Sequence, residues 1–192
     1  MNAVLHAIRI KGIAAPEAIA IATGLEALEI ERELAELEAA ELALQRPSRK
    51  RPGWVLTEAG RDRHAAEIAA AHDAAMLGDI ATHYEGFLAV NAQVKTVSAK
   101  WQQAADDATR FALIDRIETL HEQAAPVLKR AATAAERFGR YGDRLGAALE
   151  QLDNDQRYFV SPLVDSYHTV WFECHEDFLL TLGRTRAGEG SE

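Results

Sequence analysis

The chain has 192 residues, 48% of them hydrophobic, with only 12 glycines and 5 prolines, so it can bury a core and is not a disordered polymer. Alanine, leucine and glutamate dominate, a composition that favours helix. The net charge of −9 excludes a general nucleic-acid binder by bulk charge and leaves any such contact to a local patch.

That charge is unevenly spread. Residues 1–64 hold 9 Lys/Arg against 10 Asp/Glu, whereas the remainder holds 12 against 20. Met1–Ile13 is interrupted by His6, Arg9 and Lys11, so it lacks the apolar run of a signal peptide. No stretch approaches the length that crosses a bilayer. A single cysteine, Cys174, rules out an internal disulfide and a thiolate metal cluster. The expectation is a soluble cytoplasmic protein without a membrane partner.

In chain order, Val4, Leu5, Ile8 and Ile10 give a first amphipathic helix that Gly12 ends. Pro16 opens a second helix at a position where its missing N–H costs nothing, and Gly24 turns the chain after it. A third helix spans 25–41, with Ala27, Ile30, Leu34, Leu37 and Ala40 on its inner face. Two short strand-like pieces follow, 42–45 and 54–56, separated by a loop carrying Arg46, Arg49, Lys50 and Arg51. Thr57 has the chemistry of an N-cap for the next helix. Helix, helix, turn, helix and a two-stranded wing within some 60 residues make a winged helix-turn-helix.

From Thr57 to Met76 the pattern is helical again, with alanine-rich packing at Ala65, Ala66, Ile68, Ala69 and Ala71 and a break or kink at Gly78-Asp79. Ile80, Tyr84, Phe87, Val94, Val97 and Trp101 continue to about Gln103. Asp106 or Asp107 caps the following helix, which Pro126 kinks or divides near Ala125. Helical spacing then runs to Asn154, and Ser161-Pro162 starts a last helix that reaches Gly183. The tail from Arg184 is polar and is expected to be disordered. This second part reads as an all-helical bundle whose core is Tyr84, Phe87, Trp101, Phe111, Phe138, Tyr141, Trp171 and Phe178. The fold class is thus mainly α: residues 1–64 a winged helix-turn-helix, 65–186 a helical bundle for dimerisation or ligand sensing, and 187–192 a polar tail.

Residues 1–64 resemble the winged-helix domain of bacterial transcriptional regulators of the MarR/PadR type. The resemblance rests on the run from Ala15 to Leu25, on Leu34-Ala-Glu-Leu-Glu-Ala39, and on Trp54-Val-Leu-Thr-Glu-Ala-Gly60, and covers about a third of the chain. It implies a third helix in the major groove, a wing on the backbone, and a C-terminal helical domain that dimerises or senses a ligand. Arg46, Arg49, Lys50 and Arg51 would then be phosphate contacts and Arg32 the basic residue of the reading helix. Two positions depart from that pattern. Glu41 stands where a glycine is usual, and residues 25–41 carry seven glutamates against Arg32 alone, with Glu29, Glu33 and Glu36 as an outward row facing phosphates.

Further groups invite chemistry less specifically. His168 and His175 share a helix face with Trp171 and, with Tyr84, could line a small-molecule pocket between helices. Glu118 and His121 have the Glu-x-x-His spacing of carboxylate-bridged metal helices, but a bundle site of that kind needs two such pairs and this chain has one. Gly139, Gly142 and Gly146 suit close helix packing. Neither Ser161 nor Ser166 sits in a nucleophile motif, and carboxylates beside Cys174 disfavour a thiolate. The expectation is a non-enzymatic DNA-binding regulator, homodimeric and open to a small effector, with no cofactor or metal. A second reading is a protein-interaction module whose acidic third helix binds a basic partner rather than DNA.

Overall fold

The computed structural model describes residues 1–48 and 52–185. The chain divides into two compact units, one made of Met1–Asp73 with residues 179–185, the other of Ala74–Phe178. It is mainly helical, with one two-stranded antiparallel sheet. Among the described residues no helix is long and apolar enough to cross a membrane.

In the first unit α1 (Ala3–Lys11), α2 (Pro16–Thr23) and α3 (Ala27–Ala39) lead into β1 (Ala43–Arg46), β2 (Gly53–Leu56) and α4 (Glu58–Ala71). Asn2 caps α1, its side-chain oxygen accepting from the Leu5 N–H at 2.7 Å. The same residue ties α1 to two other helices, its amide donating to Glu33 at 2.5 Å and its backbone N–H to Glu67 at 2.7 Å. Val4, Leu5, Ile8, Ile19, Ile30, Leu34, Leu37, Trp54 and Leu56 close one apolar core between helices and sheet. Burial of such side chains is the main force holding the unit together. On α3 the inner face is Ile30, Leu34 and Leu37; Ala27 and Ala40, expected there, are exposed.

The hairpin pairs Ala43 with Leu56 through to Arg46 with Gly53. A third segment joins it where no strand was expected: Ala14 donates to the Trp54 carbonyl at 3.0 Å and accepts from the Trp54 N–H at 2.8 Å. A single bridge residue has no alternating pattern to announce it. Helix α4 packs on α1, where the rings of His6 and His64 stack with Nδ1 and Nε2 2.9 Å apart. The chain therefore divides between Asp73 and Ala74, whereas the sequence pattern places the division after His64. Of the expected alanine packing in α4 only Ile68 is buried; Ala65, Ala66, Ala69 and Ala71 are exposed.

The second unit is a helical bundle of α5 (Ala74–Gln103), α6 (Asp107–Ala134), α7 (Arg137–Leu152), the short α8 (Arg157–Val160) and α9 (Tyr167–Thr181) as far as Phe178. Three expected boundaries move. The break falls at His72-Asp73, and Gly78 and Asp79 lie inside α5. Pro126 does not divide α6; it sits exposed inside a continuous helix. The last helix starts at Tyr167 rather than at Ser161-Pro162, because Ser166 provides the cap, its hydroxyl accepting from the Thr169 N–H at 3.3 Å.

The core is aromatic, as expected, with one residue fewer and two more. Phe111 is 59% exposed, while Phe159 and Tyr167, not expected inside, are fully buried. Phe87 stacks on Trp171 at 4.5 Å and Phe138 on Phe178 at 4.3 Å, close offset contacts that add to the area they bury. Of the three glycines of α7, only Gly139 lies near a neighbour, where a Cβ would meet that of Ala132 at 3.4 Å; Gly142 and Gly146 face open space.

Candidate nucleic-acid interface

The end of α3 and the root of the hairpin form one hydrogen-bonded corner. Past the helix, the Glu41 N–H bonds to the Glu38 carbonyl at 2.9 Å and the Leu42 N–H to the Leu37 carbonyl at 2.8 Å. These two bonds, with Leu42 packed against the core beside Leu37, are a Schellman stop. That stop needs a left-handed residue at position 41, and Glu41 takes it at φ 58°. The side chain is strained where glycine would not be. Changing Glu41 to Gly should therefore stabilise the protein by about 0.5–1 kcal/mol even after glycine's greater freedom in the unfolded chain is counted. Equilibrium urea unfolding checks it, with Glu41→Ala as the variant that should gain nothing.

The start of α4 closes the corner. Thr57 donates from its backbone to the Leu42 carbonyl at 3.0 Å, and its hydroxyl donates to the Glu41 carbonyl at 2.8 Å. The same hydroxyl accepts from the Gly60 N–H at 3.0 Å and so caps the helix. Gly60 lies so close to the Leu42 carbonyl that an added Cβ would stand 1.9 Å from its oxygen. The Leu-Thr-x-x-Gly run is thus the set of residues that lets α4 and β1 share one backbone corner.

Of the sequence-predicted contacts, Arg46 is exposed at the end of β1, and Arg49, Lys50 and Arg51 lie outside the described residues. Arg32 is exposed on α3 but engaged, 3.5 Å from Glu33 and 3.8 Å from Glu36. Such exposed pairs contribute little stability, but they offset the helix's basic residue with its own acids. Glu33 is not part of an outward row, because it turns in to accept from Asn2. The exposed glutamates of α3 are Glu29, Glu31, Glu36 and Glu38.

In the bundle, Tyr84, Trp171 and His175 come together around Phe87. The Tyr84 hydroxyl lies 2.9 Å from His175 Nε2, and the Trp171 N–H donates to Asn91 at 2.9 Å. All three side chains are buried, with exposures of 3% or less, so they meet as packed neighbours with partners of their own. His168 is half-buried one turn earlier, and burial pushes its imidazole below the usual range. His121 is lowered for the same reason and sits at the edge of the Tyr167 ring.

Sequence reasoning missed the charged groups that α9 carries inward. Asp177 is fully buried, receives the Arg137 Nε at 3.0 Å and accepts from the Tyr141 hydroxyl at 3.1 Å. Arg144 bridges Asp165 at 2.6 Å and Glu173 at 2.7 Å. Burial opposes the Arg144 charge, but the hydrogen bond with Asp165 and the charge of Glu173 raise its pKa above the ordinary value. Burial, and then the neighbouring Asp177, push both the Tyr141 hydroxyl and the Cys174 thiol up, so Cys174 is a protonated core residue. The signal in the sequence was the pair Arg137 and Arg144, seven apart on one helix face. Among the described residues no three His, Cys, Asp or Glu side chains converge as a metal would require.

No protein-family model, curated protein or solved structure matches the chain.

Proposed function

We propose that the first unit is a winged helix-turn-helix of the MarR/PadR type and that the chain is a DNA-binding transcriptional regulator. In this reading it is a homodimer, and the bundle supplies the dimer surface and responds to a small effector. The observation that carries it is the corner of Leu42, Thr57 and Gly60, which sets the hairpin directly behind α3 with Arg46 exposed on it. The exposed face of α3 is acidic, so phosphate contact falls to the wing cations Arg46, Arg49, Lys50 and Arg51, with Arg32 held by its own helix.

Four phosphate contacts give a definite salt dependence. The logarithm of the association constant for duplex DNA should fall with log salt at a slope of roughly −3 to −4. Each change of a wing cation to alanine should reduce that slope by about 1. Fluorescence anisotropy with a labelled duplex from upstream of the gene measures both. Binding that keeps its strength and slope when Arg46, Arg49, Lys50 and Arg51 are all alanine would sink the reading.

A further inference from the structure

On the proposed reading phosphate contact falls to the wing, while the acidic outward face of α3 has an order of its own. Leu28, Arg32, Ala35 and Ala39 are exposed and follow one another at spacings of four, three and four residues. At 3.6 residues per turn they fall within about 60° of arc, opposite the buried Ile30, Leu34 and Leu37. This is the spacing of a coiled-coil seam, and the positions flanking it are Glu29 and Glu36 on one side, Glu31 and Glu38 on the other. Leu28 is 79% exposed, beside a depression of about 550 Å³ lined also by Glu26, Glu29 and Arg32. Ala35 and Ala39 are small enough for a second helix to approach closely.

We propose that this seam docks a basic amphipathic helix of a partner protein, with an apolar side chain against Leu28 and lysines or arginines against the four flanking glutamates. Charge decides the occupant. A second copy of α3 would set glutamate against glutamate along both flanks in either orientation, and like charges there oppose pairing. Nucleic acid would bring phosphates to the same glutamates. A helix with cations at the flanking positions meets neither penalty. The polar Arg32 in the seam fixes register, as a polar residue among apolar ones does in such pairs.

The test uses the full chain and a synthetic helical peptide with leucine at the seam positions and lysine at the flanking ones, alongside a scrambled peptide of the same composition. Fluorescence anisotropy at physiological salt should show the patterned peptide binding at least about 10-fold more tightly than the scrambled one. Leu28→Ser should weaken it by about 10-fold or more, the loss of one buried leucine contact. Glu29→Lys/Glu36→Lys should abolish it, whereas Arg46→Ala should leave it unchanged, which separates this surface from wing-led DNA binding. Because residues 28, 29 and 36 are exposed, circular dichroism should show each variant folded. Absence of binding, equal binding of the scrambled peptide, or indifference to Leu28→Ser would each overturn the proposal, the last two by reducing it to unspecific attraction between acid and base.

Discussion

Changing Arg144 to methionine should lower the unfolding free energy by about 3–5 kcal/mol, the usual result of removing one member of a buried ion pair. Arg144 is only 8% exposed and holds two carboxylates at once, Asp165 through both Nε and a terminal nitrogen at 2.8 and 2.6 Å, and Glu173 at 2.7 Å. Methionine fills most of the volume, so the loss is not a cavity effect. What remains is a buried Glu173 beside Asp165, both stripped of the guanidinium that held them. Arg144→Lys should recover part of the loss, since it restores the charge but not the planar fork that serves two carboxylates. Arg144→Met/Glu173→Met should recover most of it, because replacing both partners removes the uncompensated charge. Urea unfolding would register the single variant as a shift of roughly 2 M in midpoint. A loss below about 1 kcal/mol would show that the pair is solvated rather than buried.

Gly60→Ala should cost about 2 kcal/mol net and lower the melting temperature of the first unit by roughly 10 °C. Two effects oppose each other here. Alanine is the better helix former by up to about 1 kcal/mol, since Gly60 lies in the first turn of α4. Against that stands an added carbon 1.9 Å from the Leu42 oxygen, with the Leu42 carbonyl carbon 2.9 Å away. Both are backbone atoms, and the oxygen already accepts from the Thr57 N–H, so the carbonyl cannot rotate aside as a side chain would. Overpacking against fixed backbone sits at the upper end of the usual range, about 3 kcal/mol, and outweighs the propensity gain. Gly78→Ala is the control: it also lies within a helix, nothing stands within 4 Å of its added Cβ, and it should stabilise by up to about 1 kcal/mol. If the two variants melt alike, the corner is not the tight contact described above.

These two sites differ in how visible they were beforehand. Thr57 and Gly60 are read from the chain because a cap and a missing side chain three residues on are local signs. Glu41 stands out only against the winged-helix pattern, which has glycine there, and its positive φ explains why. The pairing of Arg144 with Asp165 and Glu173 joins residues 21 and 29 apart, and nothing local announces it. Phe111 illustrates the reverse error: an aromatic at helical spacing is expected inside, yet periodicity alone does not say how much of a helix its neighbours cover.

The candidate site divides in the same way. The basic wing and the acidic third helix were plain in the sequence as charge, while the direction of each charge was not. Glu33 reads as outward by spacing but bends to Asn2, and Arg32 reads as a free cation but lies against Glu33 and Glu36.

By itself the sequence determined most of the helices, the hairpin and the caps at Thr57 and Asp106, because hydrophobic period, proline, glycine and hydroxyl placement act within a few residues. Only the tertiary structure decided the Ala14 bridge, the buried ion pairs of α9, and the seam that α3 leaves open. Each depends on which distant segment arrives to bond or cover a given face, and that is settled by packing across the whole unit rather than along the chain.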